Sequence, residues 1–94
     1  MTIENKLHRN IRISGRVQGV AFRYHANQMA SLHNIKGFIR NLTNGDVYLE
    51  VEGNSDQLEP FIQWCHQGPP RARVNLVHVD HGEIVGFKEF EIRP

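Results

Sequence analysis

Apolar and polar residues alternate along the chain in a way that defines its elements. Leu7, Ile11 and Ile13 share one parity, and His8, Asn10, Arg12 and Ser14 take the other. That period of two predicts a strand over residues 7–14 with one buried face. No period continues through Gly15-Arg16-Val17-Gln18-Gly19. Phe22, Ala26, Met29 and Ala30 then form one helical stripe, predicting a helix from Val20 to His33 that stops at Asn34. Two strands, 37–42 and 46–52, are predicted around Thr43-Asn44-Gly45, because Asn-Gly is a strong hairpin signal. Val47, Leu49 and Val51 should point inward, with Asp46, Tyr48, Glu50 and Glu52 outward. Gly53-Asn54-Ser55-Asp56 reads as a turn into a helix cap, and Leu58, Phe61, Ile62 and Cys65 form the next helical stripe. Pro60 removes a backbone donor there, which predicts an irregular first turn. Gly68-Pro69-Pro70 ends that helix. Between Ala72 and His81, Val74 and Leu76 oppose Val77 and Val79, so this strand switches parity or is covered on both faces. Gly82 and Gly86 bracket a turn before a last strand, Phe87 to Ile92. The order is β-α-β-β-α-β plus a short C-terminal strand, which suits an α+β sandwich with two helices on one face of an antiparallel sheet.

Composition narrows the reading. The 94 residues are 39% apolar, enough for one core and hence a single domain over residues 1–94. Ordering them costs roughly 1.5 kcal/mol per residue, so nearly every apolar stripe has to be buried. Eleven basic against ten acidic side chains leave a net charge of +1, which argues against a nucleic-acid partner and against an acidic tail. Apolar runs are too short to span a membrane, and the polar stretch Met1 to Asn10 lacks the core of a signal peptide. Residues 1–6 are expected to form a flexible arm. A lone Cys65 excludes an internal disulfide and any Cys-rich zinc site. The expectation is a cytoplasmic, monomeric protein with no metal and no cofactor.

The segment Gly15-Arg16-Val17-Gln18-Gly19-Val20-Ala21-Phe22-Arg23 carries the chemistry. It joins a strand to a helix, contains two glycines and sets an arginine in the first helical turn. A helix start leaves about four N–H groups unpaired, with partial positive charge. A glycine-bearing loop ahead of it lets further amides converge on one anion. Arg23 adds a planar fork of donors suited to phosphate oxygens. The bland alternative is a turn that merely needs its glycines, with Arg23 in solvent. Neither the Walker A pattern nor a dinucleotide fingerprint fits.

That run resembles the first signature of the acylphosphatase family, a phosphate-binding G-R-V-Q-G-V-x-F-R loop. The family's second signature, G-x-x-x-N-x-x-x-G-x-V, is filled at every fixed position by Gly37, Asn41, Gly45 and Val47. Gly68-Pro69-Pro70-Arg71-Ala72-Arg73-Val74 is similar to the family's passage from second helix to fourth strand, so the resemblance spans residues 7–93. It implies the ferredoxin-like fold and metal-independent hydrolysis of acyl phosphates to carboxylate and phosphate. By resemblance Arg23 is the catalytic arginine, binding the phosphoryl group with the backbone amides of Arg16, Val17, Gln18, Gly19 and Val20. Asn41 matches the asparagine that positions the attacking water. The implied partners are a small acyl phosphate and phosphate as product inhibitor. Phe38 and Ile39 depart from the tryptophan and valine frequent in the family, and both remain apolar.

An acyl phosphate has a good carboxylate leaving group, so positioning and charge neutralisation suffice. Competing readings are an acylphosphatase-like module of a larger carbamoyl-phosphate-using enzyme and an RNA-binding module of the same architecture. A chain ending at Pro94 favours a free-standing enzyme over the first. Lys36-Gly37-Phe38 opens like an RNA-recognition strand, but Ile39, Arg40 and Asn41 break that pattern. His78 and His81 should lie on opposite strand faces, unsuited to one metal. His25, in the first helix, is expected to be solvated, and Cys65 to be a core residue. The sequon Asn41-Leu42-Thr43 is a chance match.

Overall fold

The computed structural model describes residues 5–94, so most of the predicted arm over residues 1–6 lies outside them. In order the elements are β1 (Leu7–Arg16), α1 (Phe22–Leu32), β2 (Lys36–Asn41), β3 (Val47–Gly53), α2 (Ser55–Gln67), β4 (Arg73–Gly82) and β5 (Phe90–Arg93). They form a ferredoxin-like α+β sandwich whose sheet runs β4-β1-β3-β2-β5. The four inner pairings differ in sense. β1 is antiparallel to β3 and β4, and β2 is antiparallel to β3, whereas β5 lies parallel to β2. The sheet is therefore mixed rather than wholly antiparallel.

The core lies between one sheet face and the two helices. Ile11 pairs with Leu49 and Leu49 with Ile39, which aligns three fully buried side chains across the sheet. Phe22, Ala26 and Ala30 of α1 and Leu58, Phe61 and Cys65 of α2 pack onto them, as their helical spacing predicts. α1 begins two residues later than the pattern suggests, and Asn34, at φ 56°, turns left-handed just beyond its end. The Ile35 N–H then donates to the Ala30 carbonyl at 2.8 Å and closes the helix end.

α2 is regular through Pro60, contrary to the expected irregular turn. Asn54 and Gln57 form a reciprocal capping box at 2.9 Å in each direction, and Pro60 is exposed. The cap satisfies the first turn, so the proline costs a single backbone bond. In β4 the parity switch is a bulge. Ser14 faces Leu76 but Gly15 faces Val74, so Asn75 is the extra residue. Val74, Val77 and Val79 all reach the core while Leu76 is exposed.

The largest departure concerns His8 and Glu52, placed by alternation on the solvent side. Both are buried, Glu52 completely. They face each other across β1 and β3 on the side away from the helices. The β4–β5 connection covers them: the Val85, Gly86 and Phe87 N–H groups donate to Glu52, and the Phe87 ring stacks on His8 at 6.0 Å. Those amides serve a carboxylate instead of a ladder, which is why β5 starts at Phe90 and not at Phe87.

Candidate active site

β1, β2 and β5 run in the same direction, so Arg16, Asn41 and Arg93 finish at one end of the sheet. At that end the loop after β1 turns into α1. Val17 and Val20 are buried in the core and pin the loop, leaving Gln18, Gly19 and Ala21 at the surface. Gly19 takes φ +73° with open space around its Cα, so it is the backbone angle that calls for glycine here. At Gly15 the constraint is contact, since a Cβ would run into the Arg73 carbonyl at the bulge. Ala21 holds a left-handed φ of 62° as the N-cap of α1 and provides no side-chain cap. The start of α1 therefore remains open. Among the described residues, nothing accepts a hydrogen bond from the N–H groups of Gln18 to Phe22. A run of unpaired donors at a helix N-terminus is suited to an anion.

A pocket of about 270 Å³ occupies this end. Val17, Gln18, Gly19, Arg23 and Asn41 of the sequence-derived set line it. Arg16 and Val20 do not. Arg16 is the exposed last residue of β1, opposite Arg73 of β4, and Val20 points into the core. Arg23 lies in the first turn of α1, and its Nη1 donates to the Arg93 carbonyl at 3.0 Å. Asn41 ends β2 on the same face as Ile39, which turns it toward the loop and not toward the opposite side of the sheet. No partner among the described residues takes its carboxamide, so both an acceptor and two donors remain free for a water. No acidic side chain lines the pocket, and Arg23 is its charged group.

Three features of the site had no signal in the alternation. The Gln18 side chain reaches across to donate to the Leu42 and Asp46 carbonyls, each at 2.8 Å, and so ties the loop to the β2–β3 turn. Tyr24 and Ile92, both substantially exposed, add an apolar rim to the pocket. Arg93 holds Arg23 through its carbonyl while its guanidinium stands 4.0 Å over the Phe38 ring. These depend on where loops and the last strand dock, and spacing does not report that.

The histidines and the cysteine lie outside this pocket. His25 lines a separate groove with Trp64 and Pro69 and meets Tyr24 edge-on at 5.5 Å. His78 is exposed on β4, 3.1 Å from Asp80. Cys65 is fully buried, and burial pushes its thiol well up from the ordinary range. No helix among the described residues is long and apolar enough to cross a membrane.

The sequence model of a family described as acylphosphatase matches residues 9–92. An acylphosphatase of Anaeromyxobacter dehalogenans is 43% identical over 90 residues, covering 95% of this chain and 97% of that one. The structure of an acylphosphatase from Coxiella burnetii superposes with a TM-score of 0.92 at 32% identity, covering 99% and 100% of the two chains. Full-length HypF, in a phosphate- and nucleotide-bound form, contains a similar segment: TM-score 0.89, 30% identity, 99% of this chain and 12% of HypF.

Proposed function

The chain belongs to the acylphosphatase family, and from that premise we propose how its residues hydrolyse the carboxyl-phosphate bond of a small acyl phosphate. The amides of the loop from Arg16 to Val20, continued by the open start of α1, receive the phosphoryl oxygens together with the Arg23 guanidinium. What supports this most directly is the run of unpaired N–H groups from Gln18 to Phe22 beside a pocket whose charged group is Arg23. Fixed donors of this kind act without reorganising as charge develops on the equatorial oxygens. Free phosphate is an anion of the same form and should inhibit competitively.

Asn41 holds a water in line with the bond to be broken. The water oxygen bonds to phosphorus as the phosphorus–carboxylate oxygen bond breaks, and the carboxylate leaves with that electron pair. The amide of Asn41 is too weak a base to take the water's proton, which passes to a phosphate oxygen. The acyl group rests on the Tyr24 and Ile92 rim, whose apolar atoms suit an aromatic or aliphatic acyl chain. The net charge of +1 supports a small-molecule substrate over a nucleic acid. The working form in this reading is a cytoplasmic monomer, which sedimentation and fractionation check.

Phosphate release from benzoyl phosphate by wild type and Arg23→Gln tests the reading. The variant should lose ~10²–10³ in rate, as expected for a principal transition-state contact. It should also lose inhibition by phosphate. Undiminished phosphate inhibition in Arg23→Gln places the anion elsewhere.

A further inference from the structure

Glu52 is a fully buried carboxylate on the side of the sheet away from the helices, and the chemistry proposed above does not use it. It accepts four hydrogen bonds: His8 Nδ1 at 2.7 Å, and the N–H groups of Val85 at 2.6 Å, Gly86 at 3.0 Å and Phe87 at 3.1 Å. Three of the four come from the connection between β4 and β5, which has no ladder of its own. A buried carboxylate with this many donors is a strong fastening, because pulling the connection away would leave a buried charge short of three of its donors. The Phe87 ring packs on His8 at 6.0 Å and edge-on to Phe38 at 5.8 Å.

What the fastening holds is β5. From Phe87 the chain passes to Glu89, whose carbonyl accepts from the Gly37 N–H at 2.9 Å, and then pairs Phe90 to Arg93 beside Gly37 to Arg40. Phe38 carries Phe87 against one part of its ring and the Arg93 guanidinium 4.0 Å from its centre. The Arg93 carbonyl then accepts from Arg23 Nη1. β5 is only four residues long and lies at the sheet edge, so its ladder alone is a weak anchor. We infer that Glu52 is a positioning residue for Arg23: by clasping residues 85–87 it seats β5, and β5 presents the Arg93 carbonyl that fixes the guanidinium over the phosphate loop. The inference rests on the assignment of Arg23 as the phosphate-binding arginine. Arg23 has several rotatable bonds, and an arginine whose fork is already aimed loses less freedom when the anion arrives.

The test measures kcat, KM for benzoyl phosphate, the inhibition constant of phosphate and the melting temperature for a set of variants. Glu52→Gln keeps the shape but loses the charge that draws four donors. It should raise the phosphate inhibition constant and KM about 3- to 10-fold, the size of a remote coupling, at temperatures where it is folded. Ile62→Ala, which trims a partly buried side chain of α2 packed against the core and outside the pocket, should lower the melting temperature without moving either constant. Deleting Arg93 and Pro94 removes the carbonyl, and in that background Glu52→Gln should change nothing further. Phe87→Ala keeps the charge but weakens the clasp from its other end, by removing the ring that packs residues 85–87 onto His8 and Phe38, so it carries the same test if Glu52→Gln does not fold. A Glu52→Gln or Phe87→Ala variant that loses stability alone, or whose kinetic shift persists after the deletion, overturns the inference. Arg23→Gln separates the two levels. If it abolishes phosphate inhibition while the Glu52 and Phe87 variants are neutral, only the positioning role fails. If it leaves inhibition intact, the site assignment fails and the positioning role with it.

Discussion

The Gln18 side-chain nitrogen donates to the Leu42 carbonyl at 2.8 Å and at the same distance to that of Asp46, so one amide bridges the β1–α1 loop and the turn after Asn41. The loop and Asn41 come from elements that meet only at their ends. A mechanism that needs a phosphate on one and a water on the other requires their separation to be fixed. Gln18 is the direct fastening between them.

Gln18→Ala should therefore damage catalysis more than binding. The amides and Arg23 remain, so phosphate inhibition should change little. The water's line of attack loosens, and turnover should fall ~10-fold or more, since small misplacements of reacting groups are costly. The Leu42 and Asp46 carbonyls each lose one of two donors and keep the backbone N–H groups of Gly45 and Leu42, so stability should fall by only about 1 kcal/mol. Steady-state kinetics beside urea denaturation check both figures. An unchanged kcat would show that the turn is held by other contacts.

Glu52 should make stability depend on acid. Burial pushes its carboxyl up, but the bond from His8 and the three backbone N–H groups outweigh that and hold it below the ordinary carboxylate value. The unfolded chain then takes up the proton first as pH falls. Stability from this group is fully present above the unfolded value and is lost as pH falls through the lower folded one. Urea midpoints from pH 7 to pH 3 should drop more steeply for wild type than for Glu52→Gln. Parallel curves for the two would mean that Glu52 titrates alike in both states.

Cys65 should be inert in the folded protein. It has no exposed surface, and burial pushes its thiol upward, away from the thiolate that reacts. A thiol reagent at pH 8 should label it only as fast as the chain opens, and completely in denaturant. Rapid labelling of native protein with retained activity would show that the α2 face opens locally.

How much of this was legible in the sequence depended on where each constraint originates. The helical stripes of α1 and α2 and the alternation of β3 were visible because one core face imposes them locally. The opposed parities of Val74 and Val77 left a parity switch or two covered faces as alternatives, and the β4 bulge is the first of these. His8 and Glu52 were misplaced because alternation assigns any charged residue to water, whereas a loop more than thirty residues away supplies the donors that make burial favourable. The parallel sense of β5 was invisible for a related reason. It follows from docking against β2, and four residues carry no record of which edge they join. Arg23 and Asn41 were singled out by motifs and line one pocket, while Gln18 was expected only as an amide donor, because its reach to Leu42 depends on how the loop folds.

Asn41→Ala separates the two halves of the mechanism. Asn41 closes β2 on the helix-facing side, lines the same pocket as Arg23, and its carboxamide has no partner among the described residues. It therefore does not hold the fold together, and the variant should remain folded with stability changed by no more than about 0.5 kcal/mol, as for a partly exposed side chain away from the core. The loop amides and Arg23 are untouched, so the inhibition constant of phosphate should stay near its wild-type value. The water loses the acceptor and donors that orient it, so kcat should fall ~10² or more, the scale of losing a positioning contact. Asn41→Asp gives a further check on the sign of the effect. A carboxylate facing the phosphate loop repels the bound anion, so that variant should weaken phosphate inhibition where alanine does not. Near wild-type turnover in Asn41→Ala, with phosphate binding intact, would show that the water is oriented by another group and that Asn41 only borders the site.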